Sequence, residues 1–288
     1  MPLHTIVHVS DPHLLAEGLL YGAVDCDRNL RRFVERVIAS EVVPDAIVVT
    51  GDVADQGEPE AYVRARAILD PLAEQLGTRL VWVMGNHDHR VVFSDHLLDG
   101  QPTNQVVDVG GLRIIALDST VPGYHHGCIE DATLEWLRDV LAEPAEHGTV
   151  LALHHPPLEA VLSFLRILDL RNRERLADVV RGSDVRLVLA GHWHLTASGR
   201  LAGAPVLVAG ATSYCADPSA AGSFVGVDGG QSYRLVKLDG PDVQSTVVPL
   251  TVAPTITMVT REQLAATEHL DRAAQDERWS RFPVTDLV

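Results

Sequence analysis

Five short runs of apolar, mostly β-branched residues punctuate the first two-thirds of the chain. They are His4–Ser10 (HTIVHVS), Ala46–Thr50 (AIVVT), Leu80–Met84 (LVWVM), residues 149–153 and Val185–Ala190. Runs of this length and composition predict buried strands. Between the first two, Leu30, Phe33, Val34, Val37 and Ile38 recur at helical spacing, which predicts a helix over 28–39 with Asp27 as its N-cap. A second helix is expected over 58–76, stopping at Gly77. Strand–helix–strand alternation of this kind argues for an α/β fold with a largely parallel sheet.

After residue 100 the rhythm changes. Gln105–Val109 and Leu112–Leu117 flank Gly110-Gly111, a hairpin signal. Helical spacing is expected near 131–142 and again over about 158–181, and only short strands follow, at 196–202, 205–209, 232–238 and 243–250. These strand pairs toward the C-terminus suggest a second sheet packed on the first. Residues 251–288 differ again: Pro254 opens a stretch with one amphipathic helix expected at 261–277 and an irregular end, WSRFPVTDLV. This segment reads as a tail or arm on a main domain of residues 1–250.

Composition narrows the function classes. The 288 residues, 46% apolar and 22% charged, suit one large globular domain or two small ones and exclude disorder and collagen-like classes. No run of about 18 apolar residues marks a transmembrane helix. Acidic residues outnumber basic ones 39 to 23, for a formal charge of −16. Such a chain repels nucleic acid and anionic lipid unless it carries a local cationic site. Lys237 is its single lysine and no Lys/Arg cluster forms a footprint, so nucleic acid is not an expected partner. Cys26, Cys128 and Cys215 lack CxxC spacing and make neither a disulfide framework nor a thiolate metal site. Their odd number, with an N-terminus (MPLHTIVHVSDPH) that lacks the regions of a signal peptide, leads to an expected cytoplasmic location. The unusual number is fourteen histidines.

Five of the expected strands end in chemistry. They run into Ser10-Asp11-Pro12-His13, Gly51-Asp52, Gly85-Asn86-His87-Asp88, His154-His155 and Gly191-His192-Trp193-His194. In open α/β sheets ligands bind at the carboxyl ends of strands, so these groups are expected to converge. Asp11, His13, Asp52, Asn86, His154, His192 and His194 are too many donors for one metal. They suit two metals about 3.5–4 Å apart that share one bridging carboxylate, with Asp52 the natural bridge. Nitrogen and oxygen donors without thiolate favour Mn, Fe, Zn or Co.

The ordered set D-x-H, GD, GNH, H and GHxH, spanning residues 11–194, resembles the five-block signature of the calcineurin-like metallophosphoesterases. YGAV (21–24), GEPEAY (57–62), VWVMGNHD (81–88) and LALHHPP (151–157) resemble one branch of it, the class III cyclic nucleotide phosphodiesterases, especially the actinobacterial 3′,5′-cAMP enzyme. That closer likeness extends to about residue 250, the span it implies for the catalytic domain. The resemblance implies a four-layer αββα sandwich of two mixed β-sheets flanked by helices. It implies two metals, Fe and Mn being the usual pair, with Asp11, His13, Asp52 and His194 on one and Asp52, Asn86, His154 and His192 on the other. It implies hydrolysis of cyclic nucleotides, 3′,5′-cAMP to AMP, by attack of a metal-bridging hydroxide, with Asp52 and His87 in catalytic roles. Substrate contacts would fall on His13, Asp52, Asn86, His87 and His194. Two divalent ions against two carboxylates would leave a local charge of about +2 on an acidic protein, which reconciles the net charge with an anionic substrate. By analogy with dimeric relatives it implies a homodimer.

Blander readings stand beside these. His4, His8, His96, His147 and His269 read as structural or surface residues, and Trp193 as packing. His155 is expected to face away from the metals or to support their ligands. His125 and His126 read as a pocket mouth or as solvated loop residues. Asp88 is a candidate to orient His87. A glycerophosphodiesterase, a 2′,3′-cyclic phosphodiesterase or a broad phosphodiesterase would share the same site. An inactive interaction scaffold would be marked by lost ligands, and none is missing.

Overall fold

The computed structural model describes residues 3–220 and 224–281. Two compact units emerge, Met1–Thr251 and Val252–Val288. In chain order the first holds β1 (His4–Val9), α1 (Cys26–Ser40), β2 (Ala46–Thr50), α2 (Pro59–Leu76), β3 (Arg79–Val83), α3 (Arg90–Leu97), β4 (Gln105–Val109), β5 (Leu112–Leu117), α4 (Asp131–Leu141) and β6 (Thr149–Leu153). It continues with α5 (Arg173–Val180), β7 (Val185–Ala190), β8 (Ala197–Leu201), β9 (Ala204–Val208), the short pair β10 (Cys215–Ala216) and β11 (Gly226–Val227), then β12 (Ser232–Asp239) and β13 (Asp242–Pro249).

These strands form two mixed sheets. The first has the order β13-β12-β1-β2-β3, with β1, β2 and β3 parallel and the β12–β13 hairpin added antiparallel on the β1 side. The second has the order β4-β5-β6-β7-β9-β8, parallel from β5 through β9 with an antiparallel strand at each edge. The C-terminal hairpin therefore completes the first sheet instead of founding the second. Alternation identifies a strand and its buried face, but not its neighbour, and β12 is drawn to β1 because Val236 and Leu238 share the inter-sheet core with Ile6.

Alternate residues of each strand serve opposite layers. Ile6, Ala46, Val48, Val81 and Val83 meet Ile114, Ala116, Val150, Ala152, Leu187 and Leu189 between the sheets. Val7, Val9, Ile47 and Val49 face Leu30 and Phe33 of α1 and Tyr62, Leu69 and Phe93 of α2 and α3. Ile115, Leu151, Leu153 and Val188 face Leu134, Leu137 and Leu176 of α4 and α5. The result is a four-layer αββα sandwich.

Local departures from expectation have local causes. Helix α1 is capped by Asp25, whose carboxylate accepts from Arg28 N at 2.9 Å. Asp27 lies inside the first turn and pairs with Arg64 at 3.4 Å. The stretch 158–181 is not one helix but a 3-10 turn at Leu165–Leu168 followed by α5. Its apolar spacing is real, since Leu158, Leu162, Leu165, Leu168 and Leu170 all pack on the second-sheet core, but turns present them rather than a helix. Helix α3, with two buried residues, Phe93 and Leu97, lacks the long stripe that would announce it.

In the second unit the helix expected at 261–277 is broken. Helix α6 (Arg261–Ala265) starts at a Thr260/Gln263 capping box, and α7 (Arg272–Gln275) starts where Asp271 caps Ala274 N. A π turn covers Asp276–Ser280. Residues 282–288 of the terminus read as irregular lie outside the described residues. Among the described residues no helix is long and apolar enough to cross a membrane.

Replacing Asp25 with alanine is expected to remove about 1 kcal/mol of stability, the usual value of an N-cap side chain. Asp27→Ala is expected to cost less, since it loses only a partly exposed ion pair. Urea unfolding of both variants checks this, and a larger loss from Asp27→Ala would restore Asp27 as the cap.

Candidate active site

The carboxyl ends of β1, β2, β3, β6 and β7 meet at one point, and all seven donor side chains expected there are brought together. His13 Nε2 lies 3.1 Å from His194 Nε2, and His192 Nδ1 lies 3.2 Å from His154 Nε2. Asp52 Oδ2 joins the two pairs, at 3.4 Å from both His13 Nε2 and His154 Nε2. Asp11 Oδ1 is 3.4 Å from His194 Nε2, and Asn86 Oδ1 is 3.0 Å from His154 Nε2. All but Asn86 are buried.

Each imidazole is aimed by its other nitrogen. His13 Nδ1–H donates to Asp55 Oδ1 at 2.9 Å, His154 Nδ1–H to the Thr50 carbonyl at 2.8 Å, His194 Nδ1–H to the Tyr214 carbonyl at 2.8 Å and His192 Nε2–H to the Leu168 carbonyl at 3.1 Å. These acceptors carry no hydrogen, so they fix the tautomer. The nitrogens left over are bare lone pairs, and they are the ones that face one another across the centre. Lone pairs at hydrogen-bond distance repel unless a cation or a proton lies between them. The donor set thus fits metal ions, with a second shell of oxygens that orients every histidine.

The backbone is bent to make this possible. Asp11, His13, Asp52, His192 and His194 all have positive φ, between 47° and 71°. Left-handed backbone costs a non-glycine residue roughly 1–2 kcal/mol, and here it turns consecutive side chains off the strand ends into one space. The motif glycines stand where nothing larger fits: a Cβ on Gly85 would lie 2.1 Å from Asp52 N, and one on Gly191 would lie 1.8 Å from Ser10 Oγ.

Comparison with known proteins decides what this arrangement belongs to. A family model described as calcineurin-like phosphoesterase matches residues 4–195. The chain belongs to the calcineurin-like phosphoesterase family. It is 46% identical over 254 residues, 86% of this chain and 84% of the other, to a protein of Rhodococcus erythropolis named a probable cyclic nucleotide phosphodiesterase. It is 47% identical over 255 residues, 86% of this chain and 80% of the other, to a Mycobacterium tuberculosis protein named a cAMP/cGMP dual specificity phosphodiesterase. Among solved structures, a dimetal phosphatase of Danio rerio shares the fold with a TM-score of 0.58 at 16% identity, covering 87% of this chain and 100% of its own.

Calcineurin-like phosphoesterases are hydrolases with a dinuclear metal site, and the cluster here is able to bind metals. The donor atoms of Asp11, His13, Asp52 and His194 lie within 4.8 Å of one another, as do those of His154, His155 and His192. His155 is not a free donor within its group, because Ser119 Oγ bonds its Nδ1 at 2.9 Å and its Nε2–H donates to the His125 carbonyl at 3.1 Å. It is buried and neutral, its pKa pushed down to about 3 by burial and by His154 beside it. Without a cation the cluster attracts a proton instead. Burial opposes charge on His154, but Asp52 and Asp11 outweigh it and push its pKa up to about 9.

Around this centre the structure corrects several expectations. Asp88 does not orient His87. It is buried and accepts from Gly85 N at 2.9 Å, Ala54 N at 2.9 Å, Val53 N at 3.2 Å and the Tyr62 hydroxyl at 3.1 Å, tying the GD loop to the GNH loop. The neighbour of His87 is Asp55, whose carbonyl accepts from His87 Nδ1–H at 2.8 Å. Burial opposes protonation of His87, yet Asp52 and Asp55 raise its pKa. Asp55 thus serves both His13 and His87, a role the sequence signalled only as one more carboxylate after a strand end. Trp193 is buried in the second-sheet core, as packing requires.

A cavity of about 270 Å³ opens on the centre. Asp52, Asn86, His87, His192 and His194 form its polar floor. His125 also lines it, bonding Asn86 Nδ2 through Nδ1 at 3.0 Å and so turning the Asn86 oxygen toward His154. His126 does not line it, and His13 lies beneath the surface. Tyr21, from the YGAV run, lines the walls with Phe164, Leu165, Leu168, Tyr214 and Phe224, which no motif singles out.

Asp88→Ala would strip the acceptor from three backbone N–H groups at once. Each buried unsatisfied donor costs about 1–3 kcal/mol, so a loss of at least about 3 kcal/mol in chemical denaturation is expected. A loss below about 1 kcal/mol would show that Asp88 does not hold the two loops together.

Proposed function

We propose that this chain is a metal-dependent phosphodiesterase that hydrolyses cyclic nucleotides, 3′,5′-cAMP to AMP among them, at a binuclear centre. One observation carries the reading: four bare imidazole nitrogens converge in a buried space, with a single carboxylate oxygen of Asp52 equidistant from one member of each pair. The names of the two bacterial relatives support the substrate class. In this reading Asp11, His13, Asp52 and His194 hold one ion and Asp52, Asn86, His154 and His192 the other. Fe and Mn suit the nitrogen–oxygen donor set, and Zn or Co would be accepted. When bound, the ions supply Lewis-acid polarisation of the phosphate oxygens and the acidified water that hydrolysis at neutral pH needs. The three cysteines are unpaired, in keeping with a cytoplasmic enzyme.

The chain's own contribution is placement and one proton. His87 bonds no other candidate ligand through its side chain, and its backbone N–H donates to Asp52 Oδ1 at 2.9 Å, which locks it beside the centre. With Nδ1–H committed to the Asp55 carbonyl, Nε2 is the atom free to act, on a side chain 26% exposed at the cavity floor. It hydrogen-bonds a phosphoryl oxygen as charge develops there, or protonates the departing ribose oxygen. Asp52, Asn86 and His194 share the floor and face the phosphodiester.

Chelation is expected to abolish turnover of 3′,5′-cAMP and Mn²⁺ to restore it, with diesters hydrolysed better than phosphomonoesters. Elemental analysis of Asp52→Ala is expected to find neither metal retained. Two metals per chain in that variant would remove the bridge, and monoester turnover ten times that of diesters would overturn the substrate class. Product release from 2′,3′-cAMP and glycerophosphodiesters separates the activities that share this site.

His87→Ala is expected to keep both metals and lose roughly 10²–10⁴ in kcat on 3′,5′-cAMP, the scale of a positioned acid. The loss should shrink on a nitrophenyl diester, whose leaving group needs no proton. Equal losses on both substrates would assign His87 to the phosphoryl oxygen instead. A lost metal, or an unchanged kcat, would make it a ligand or a structural residue.

A further inference from the structure

The cavity has two unlike sides. Its floor is polar, and one wall, made of Phe164, Leu165, Leu168 and Phe224, is apolar. Phe164 is 48% exposed where it lines the cavity, beside a centre whose seven donors are all buried but Asn86. A phosphate and its metals need no such wall, whereas a flat organic substituent does.

We propose that Phe164 and Phe224 form a platform on which the nucleobase of the substrate stacks, and that this platform, rather than the metal centre, selects nucleotides over diesters that carry no ring. The proposal rests on the diester-hydrolase reading and extends it to the substituent. The two rings come from separate segments and support each other, with centroids 5.3 Å apart and planes at 42°. A base between them would need about 7 Å, twice the stacking contact distance, so it lies across their open face and not in a sandwich. The other aromatic pair of the cavity is already engaged: the Tyr214 ring lies 4.1 Å from that of His194, tilted by 39°, and meets Tyr21 edge to face at 5.5 Å.

The platform is held at a fixed distance from the reacting centre. Leu168, at the end of the turn that carries Phe164, accepts from His192 Nε2–H at 3.1 Å, so a candidate metal ligand and the wall are tied by one hydrogen bond. Arg166 Nε donates to the Ala160 carbonyl at 2.9 Å, Asp169 accepts from Ala160 N at 3.1 Å, and Leu165 is buried in the core below. The wall offers no polar side chain to read a base edge. Stacking without edge contacts tolerates different bases, so adenine and guanine should be held about equally well.

Calorimetric titration of the metal-loaded full chain with AMP and with ribose 5-phosphate isolates the base, since both carry the same phosphate and sugar. AMP is expected to bind at least about 5-fold tighter, the lower end of what one stacked base contributes. Phe164→Ala and Phe224→Ala should each erase most of that gap while leaving ribose 5-phosphate unchanged, and Phe164→Trp should preserve it. On 3′,5′-cAMP the alanine variants should raise KM by about the same factor with kcat within about 3-fold. Equal binding of AMP and ribose 5-phosphate by the unaltered protein would overturn the proposal. So would parallel weakening of both ligands in the variants, which would mean that the rings only support the His192 turn. If AMP binds through the platform but no cyclic nucleotide is hydrolysed, the proposed activity fails and the platform stands.

Discussion

The structure depends on the crowding of lone pairs at a dry point between strand ends. Four imidazole nitrogens and the oxygens of two carboxylates approach one another to 3.1–3.4 Å. No arrangement of neutral groups makes that favourable. Holding it open takes left-handed backbone at five of the seven residues. At roughly 1–2 kcal/mol each, the strain comes to about 5–10 kcal/mol, comparable with the net stability of an ordinary domain. Two sheets pressed face to face, with helices over both outer faces, supply the rigidity that keeps the strand ends from relaxing. The outward hydrogen bonds to Asp55, Thr50, Tyr214 and Leu168 then set the direction of each ring. Fold, turn chemistry and the oxygens that aim the rings all answer one requirement, which is that cations be welcome and nothing else be.

Much of this was legible in the sequence, because its signals are local. Short apolar runs that lead into Asp, Asn or His, three of them through Gly, marked β1, β2, β3, β6 and β7 and the seven candidate donors after them. What stayed hidden depends on distance. Nothing in SYRLVKL says that β12 pairs with β1, since pairing is settled by which faces share a core. Asp88 and Asp55 are both acids in loops beside the donors, and sequence adjacency favoured Asp88 as the partner of His87. The turn at the end of β3 instead folds the Asp88 carboxylate back onto two amides of the neighbouring loop and one of its own, and leaves His87 against the Asp55 carbonyl. The leucines of 158–170 kept a helix-like spacing without a helix, because a core rewards buried apolar positions whatever backbone presents them.

Electrostatics explain how so acidic a chain accommodates an anion. The formal charge of −16 describes the surface seen from afar. At the floor of the cavity the sign is set by whatever fills the lone-pair centre, and in a buried space that local charge is felt far more strongly than screened surface carboxylates. Even the proton drawn to His154 between Asp52 and Asp11 shows the preference, since two buried carboxylates hold it against the cost of burial. The acidic exterior repels polyanions such as nucleic acid over their whole length. In the proposed reading a single phosphodiester small enough to enter the cavity meets the floor alone, so size and charge together act as a filter.

The division of labour follows the division of backbone. Every group with a proposed role at phosphorus sits on a turn that leaves a parallel strand, packed so closely that a Cβ on Gly85 would meet Asp52 and one on Gly191 would meet Ser10. The groups that would meet the organic part of the substrate lie on irregular segments, Phe164 just before a 3-10 turn and Phe224 in a loop. Loops accept substitution because little else packs on them, whereas strand ends do not. A scaffold built this way allows the wall to be exchanged while the strand-end donors stay in place. In the proposed reading the donors set the reaction, and the wall sets the molecule it is done to.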